Sequence, residues 1–171
     1  HSLSNLGHSL RATGFLSAWD ANFFLNSFST RVKSDFVTVQ SLTRENLTLI
    51  ERQTGKDIHI LSGRLVVRRP DMKRLSGVIR RTAPGHEWAV FSGSRPEGMA
   101  LADFRHLLSV CRSARCRLVV DASGDTLRAA LHARPWLIKP NREELAELSH
   151  RRLATLPRVV GAARALLDRV E

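Results

Sequence analysis

The hydrophobic pattern divides the chain into two zones that meet near Pro70. In the first zone, LSAWDANFFLNSFS over 16–29 places apolar residues at helical spacing and predicts a helix. DFVTVQ then alternates as a short strand, and NLTLIERQTGKDIHIL predicts a hairpin around the polar turn Gln53-Thr54-Gly55-Lys56. Leu47 and Leu49 fall on one face of that hairpin, Thr48 and Ile50 on the other. After Pro70 helical and strand patterns alternate: PDMKRLSGVIRR, EWAVFSG, ALADFRHLLSVCRSA, RLVVDASG, DTLRAALHA, PWLIKPN, then the helical REELAELS and TLPRVVGAARALLDRV. Continuous apolar strands separated by helices predict an α/β fold whose parallel strands are covered on both faces. Right-handed crossovers bring the strand C-termini to one edge, where open α/β sheets bind ligands. Ser92-Gly93-Ser94, Asp121-Ala122-Ser123-Gly124 and Lys139-Pro140-Asn141 end these strands, so the pattern alone predicts a site for an anion or a polyol.

Composition narrows the picture modestly. The 171 residues are 43% hydrophobic, enough for a core, and 25% charged, ordinary for a globular domain. No apolar run reaches the length of a membrane span, and the opening HSLSNLG lacks the basic start and apolar stretch of a signal peptide. It reads instead as the end of an amphipathic helix. Cys111 and Cys116 lack further ligands at zinc spacing and read as reduced thiols in a cytoplasmic protein. The net charge of +11 raises the question of nucleic acid, but the arginines are scattered and the aromatics, at 6%, do not interleave with them. Scattered arginine suits a solvated surface that also attracts anionic ligands such as phosphates.

Several stretches together carry a family likeness: LGHSLRATGFLSAWDANFF, TRENLTLIE with GKDIHI, FSGSRPEGM, LVVDASGDTLRAAL and PWLIKPNREEL. In this order and spacing they resemble the PfkB carbohydrate kinases of the ribokinase-like fold, in particular the 1-phosphofructokinase and tagatose-6-phosphate kinase branch. The resemblance runs the length of the chain. It implies a parallel sheet flanked by helices with a small β lid. An N-terminal α/β portion would occupy 1–35, lid strands 36–62 and an α/β core 63–171. The implied activity is ATP- and Mg²⁺-dependent phosphorylation of a ketohexose phosphate. Fructose 1-phosphate is favoured by TREN, GKDIHI and ATGFL; tagatose 6-phosphate and fructose 6-phosphate are the alternatives.

The resemblance also assigns roles, each beside a plainer reading. Arg44 in TREN corresponds to the clamp on the substrate phosphate, which a guanidinium fork suits, with Asn46 beside it; otherwise Arg44 is an exposed hairpin arginine. Ser92, Gly93 and Ser94 correspond to the floor of the sugar site, or else form an ordinary strand-to-loop turn. Lys139 corresponds to the lysine on the ATP phosphates; snorkelling to solvent would also satisfy it. Asn141 and Glu144 form the family's N-x-x-E motif, linked to nucleotide and Mg²⁺, and equally form a helix capping box. Glu143 is the nearest substitute for Glu144, and Asp121 is expected to order its loop or lie at the edge of the site.

Departures from the family pattern are Ser17 in place of a glycine, Arg95-Pro96-Glu97 in place of Leu-Pro-Pro, and a sparse glycine lead-in near Gly63. On the resemblance, the 171 residues span the middle of such a kinase. They hold neither the N-terminal sugar-binding Asp nor the Gly-Ala-Gly-Asp turn that supplies the catalytic base and an anion hole. No catalytic residue is therefore assigned. The chain by itself is expected to be inactive, since phosphoryl transfer rests on positioning and electrostatic stabilisation, and one anion-hole donor alone contributes ~2.7–4 kcal/mol. A non-catalytic relic and a basic nucleic-acid-binding domain are the competing classes. The resemblance also implies a homodimer paired through the lid sheet, which would cover the exposed edge of the hairpin.

Overall fold

The computed structural model describes residues 7–43, 45–51 and 57–171, with the side chains of 45–47 and 57–62 outside the description. The chain forms two compact units, His1–Val78 with Pro96–Gly98, and Ile79–Arg95 with Met99–Glu171.

In the first unit β1 (Leu10–Ser17) runs parallel to β2 (Val32–Val39), with α1 (Ala21–Ser27) as the crossover. The helix expected from Leu16 therefore starts only at Ala21. Leu16 and Ser17 pair with Thr38 and Val39, and Asp20 N–H donates to Ser17 O at 3.3 Å, closing a turn before the helix can begin. Ser17 itself is fully buried, and its hydroxyl accepts from Trp19 N–H at 3.1 Å, so the polar change at this position is satisfied locally. The helix end read at the start of the chain falls mainly on residues outside the description.

β3 (Glu45–Ile50) and β4 (Asp57–Ser62) form the expected antiparallel hairpin, Ile50 opposite Asp57; its turn residues 52–56 are outside the description. Further on, Val67 N–H donates to Glu97 O at 2.8 Å and Glu97 N–H to Leu65 O at 3.0 Å. Gly98 closes this contact at φ +86°, where a Cβ would lie 2.1 Å from Val67 O. No side chain fits there, which gives the glycine of SRPEGM a steric reason.

The second unit is the α/β core proper. Its strands β5 (Trp88–Ser92), β6 (Arg117–Asp121) and β7 (Leu137–Ile138) form one parallel sheet in that order. α2 (Arg69–Thr82) precedes β5, α3 (Leu101–Ser113) joins β5 to β6, and α4 (Gly124–Leu131) joins β6 to β7. α5 (Arg142–Ser149), α6 (Leu156–Ala165) and a 3₁₀ turn at Leu167–Arg169 follow. Local signals set the helix starts: Asp71 accepts from Arg68 N–H and Asp103 from Ala100 N–H, each at 3.0 Å.

Phe104, Leu107 and Leu108 of α3 and Leu127, Ala130 and Leu131 of α4 are buried together with Leu118 and Val120 of β6. Phe91 meets Phe104 edge-on at 5.8 Å. Each such leucine contributes about 1.5–3 kcal/mol on burial. A satellite core of Leu145, Leu153, Ala162 and Leu166 packs Ile138 against α5 and α6. On the other face of this sheet Val90 is 60% exposed, and Trp88 and Leu137 are exposed as well.

Cys111 at the end of α3 and Cys116 before β6 are buried and unbonded. Burial, and then neighbouring Cys116, push the Cys111 thiol up to about 12; burial also raises Cys116, whose Sγ donates to His86 O at 3.2 Å.

Candidate functional site

The parallel register that builds the second unit also builds its polar edge. Ser92 lies opposite Asp121, and the pairing of Val119 with Leu137 and Val120 with Ile138 carries Asp121 alongside Lys139. Backbone bonds fix both neighbours: Gly93 N–H donates to Asp121 O at 3.0 Å, and Lys139 N–H to Val120 O at 3.2 Å. Lys139 Nζ then lies 3.1 Å from Asp121 Oδ1, with the lysine side chain 69% and the aspartate 40% exposed. The ammonium is thus solvated and paired, not buried alone. Gly93 turns the chain at φ +98°, a backbone few L residues adopt, and Ser92 and Ser94 are exposed on either side of it.

At the start of α5, Asn141 and Glu144 form a complete capping box. Asn141 Oδ1 accepts from Glu144 N–H at 2.9 Å, and Asn141 N–H donates to Glu144 Oε2 at 2.8 Å. The capping reading of N-x-x-E is therefore a structural fact. One carboxylate oxygen is engaged, leaving the other outside the cap. Glu143, the register substitute, is exposed and takes no part in the box.

The donor chemistry suits Mg²⁺ brought in by a polyphosphate, because that ion keeps most of its waters and takes one or two carboxylates besides the substrate's oxygens. Glu144 is a carboxylate held in place by the helix start. Among the described residues no group of three or more His, Cys, Asp or Glu is gathered as a dedicated cage.

The structure thus brings Ser92, Gly93, Asp121 and Lys139 to one edge, as the pattern predicts, and adds a contact that sequence reasoning left unassigned, the Asp121–Lys139 ion pair. Its signal, two charged residues ending adjacent strands, becomes readable only once the strand register is known. Arg44 and the side chain of Asn46, the substrate-phosphate clamp of the resemblance, lie outside the described residues. An apolar cleft of about 280 Å³ lies between β7 and α6, lined by Trp136, Leu137, Ile138, Leu145, Leu166 and Val170 among others. It lacks the charged groups of the polar edge. Among the described residues no helix is long and apolar enough to cross a membrane.

Comparison with known proteins agrees with this geometry. The chain is 33% identical over 168 residues to the 1-phosphofructokinase of Vibrio cholerae, covering 98% of this chain and 53% of that protein. It is 27% identical to the D-tagatose-1-phosphate kinase of Bacillus licheniformis, covering 98% and 54%. Among solved structures, the tetrameric inhibited form of phosphofructokinase-2 from Escherichia coli superposes with a TM-score of 0.82 at 26% identity, over 98% of this chain and 55% of that one. The chain therefore spans about half the length of the curated relatives it matches. Residues 1–170 match the family described as pfkB family carbohydrate kinase, and the chain belongs to that family.

Proposed function

We infer that this chain is the nucleotide- and sugar-phosphate-binding part of an ATP-dependent sugar-phosphate kinase acting in the cytoplasm. The favoured acceptor is fructose 1-phosphate, phosphorylated to fructose 1,6-bisphosphate. The observation that carries this reading is the convergence of Ser92, Gly93 and Lys139 at the C-terminal edge of parallel strands, next to the Asn141–Glu144 helix start. In this reading Lys139 neutralises nucleotide phosphate oxygens, for which its three donors and exposed position fit. The Ser92 and Ser94 hydroxyls serve the sugar, with Gly93 allowing close backbone approach. Mg²⁺, when bound, would supply charge neutralisation on the phosphates, and Glu144 would help to hold it. Arg44, with Asn46, clamps the phosphate already on the sugar.

Kinship with a 1-phosphofructokinase at 33% identity supports the choice of acceptor; kinship with a D-tagatose-1-phosphate kinase at 27% supports keeping tagatose phosphates as the second choice. The tetrameric form described for the Escherichia coli phosphofructokinase-2 supports self-association, which we place at the lid hairpin.

The test is a calorimetric titration of the chain with ATP, then with fructose 1-phosphate and tagatose 6-phosphate. Lys139→Met is expected to weaken ATP binding about ten- to hundredfold, the size of a charge-assisted hydrogen bond. ATP affinity indifferent to that substitution would remove the nucleotide role. Tighter binding of the tagatose ester would exchange the two acceptors. Phosphoryl transfer by the 171 residues alone is expected to be absent, and measured turnover would contradict the view that the catalytic base lies outside them.

A further inference from the structure

The Asp121–Lys139 pair has a consequence for any anion that uses the lysine. Asp121 is held on both sides. Its carbonyl accepts from Gly93 N–H at 3.0 Å, and Lys139 is anchored to the residue before it by the 3.2 Å bond to Val120 O. The carboxylate and ammonium, 3.1 Å apart, are therefore presented to each other by the register of the sheet and not by a chance meeting of two long side chains. Both remain exposed enough for the pair to be weak, worth about two- to fivefold in an equilibrium constant. A phosphate oxygen approaching Lys139 meets this partner already in place, and two anions beside one ammonium repel each other.

We propose that Asp121 is the resident counter-ion of Lys139, occupying in the ligand-free protein the place that a nucleotide phosphate takes, and so sets the site's affinity for anions. Binding is then an exchange of one anionic partner for another. When the phosphate leaves, the carboxylate retakes the ammonium. The proposal rests on the reading of Lys139 as the nucleotide-phosphate lysine. It differs from a positioning role in sign. A carboxylate that aims the lysine at its ligand helps binding, whereas one that competes with the ligand opposes it.

The experiment is a titration of the 171-residue chain with ATP in EDTA at low salt, for wild type, Asp121→Asn, Lys139→Met and the double variant. Asn keeps the shape and the backbone bond to Gly93 and removes the charge. Asp121→Asn is expected to tighten ATP binding about two- to fivefold and to steepen its loss with added salt, because one more unpaired cation faces the ligand. In the Lys139→Met background the gain disappears, as it must if Asp121 acts through the lysine. Unchanged or weaker binding by Asp121→Asn overturns the proposal while leaving the nucleotide reading intact. A gain of equal size in both backgrounds also overturns it, since the charge then acts on the ligand directly. Wild type that binds no ATP, or that loses nothing with Lys139→Met, overturns the nucleotide reading and this proposal with it. Thermal melts of the single variants separate these outcomes from unfolding.

Discussion

The three strands of the second unit present one chemistry at their ends and another at their beginnings. At the C-terminal ends stand Ser92 and Lys139, exposed, and Asp121, half-buried. At the N-terminal ends the Trp88 and Trp136 rings meet edge-on at 4.7 Å, and the Arg117 guanidinium sits 5.3 Å from the Trp88 centroid while bonding Glu87 at 3.0 Å. Each end holds a cation beside a carboxylate, but Arg117 is also laid over a neutral ring. Chain direction accounts for the contrast. A strand C-terminus leads into a helix N-terminus, here Gly124 or Arg142, where backbone N–H groups are left to face solvent or ligand. A strand N-terminus follows a helix C-terminus, where backbone carbonyls instead of N–H groups are left unpaired by the helix. The same sheet therefore has a polar edge and an aromatic edge.

The strongest way to break this contrast is to remove what both edges stand on. Leu118→Ala, at a nearly fully buried position in the middle of β6, is expected to cost about 2–5 kcal/mol in urea unfolding and to weaken both edges together. Trp88→Ala comes next, with about 1–2 kcal/mol lost from the edge-on pair and its packing. ATP affinity should stay at the wild-type value in that variant; a parallel loss of affinity would show that the two edges are coupled through the strands. Asn141→Ala is the smallest, about 1 kcal/mol for the lost cap. Asn141→Ser should restore stability, because serine also caps. If Asn141 touches the nucleotide, ATP affinity stays reduced in the serine variant; full recovery of affinity would leave the residue a cap alone.

How far the sequence showed all this depended on the range of the interactions involved. RLVVDASG and EWAVFSG were legible as parallel strands because their apolar runs and the helices around them are local patterns. The capping box of Asn141 and Glu144 was legible for the same reason, its partners being three positions apart in one turn. β1 was not: LRATGFLS runs without a break into the helical spacing that follows, and only pairing with β2 shows that Ser17 ends a strand. The Asp121–Lys139 contact depends on register between strands separated by α4, which no local pattern records. The family resemblance named Lys139 but left its carboxylate partner unassigned.

The two buried thiols offer something different, a built-in clock. Burial and neighbouring Cys116 push the Cys111 thiol up to about 12, so alkylation of Cys111 is expected to require α3 to lift from the sheet. The rate at which native protein is trapped by such an agent then reports how often this helix opens, without any label being introduced. The same measurement, made on variants of either edge, reads how far a change at the rim of the sheet reaches into its middle.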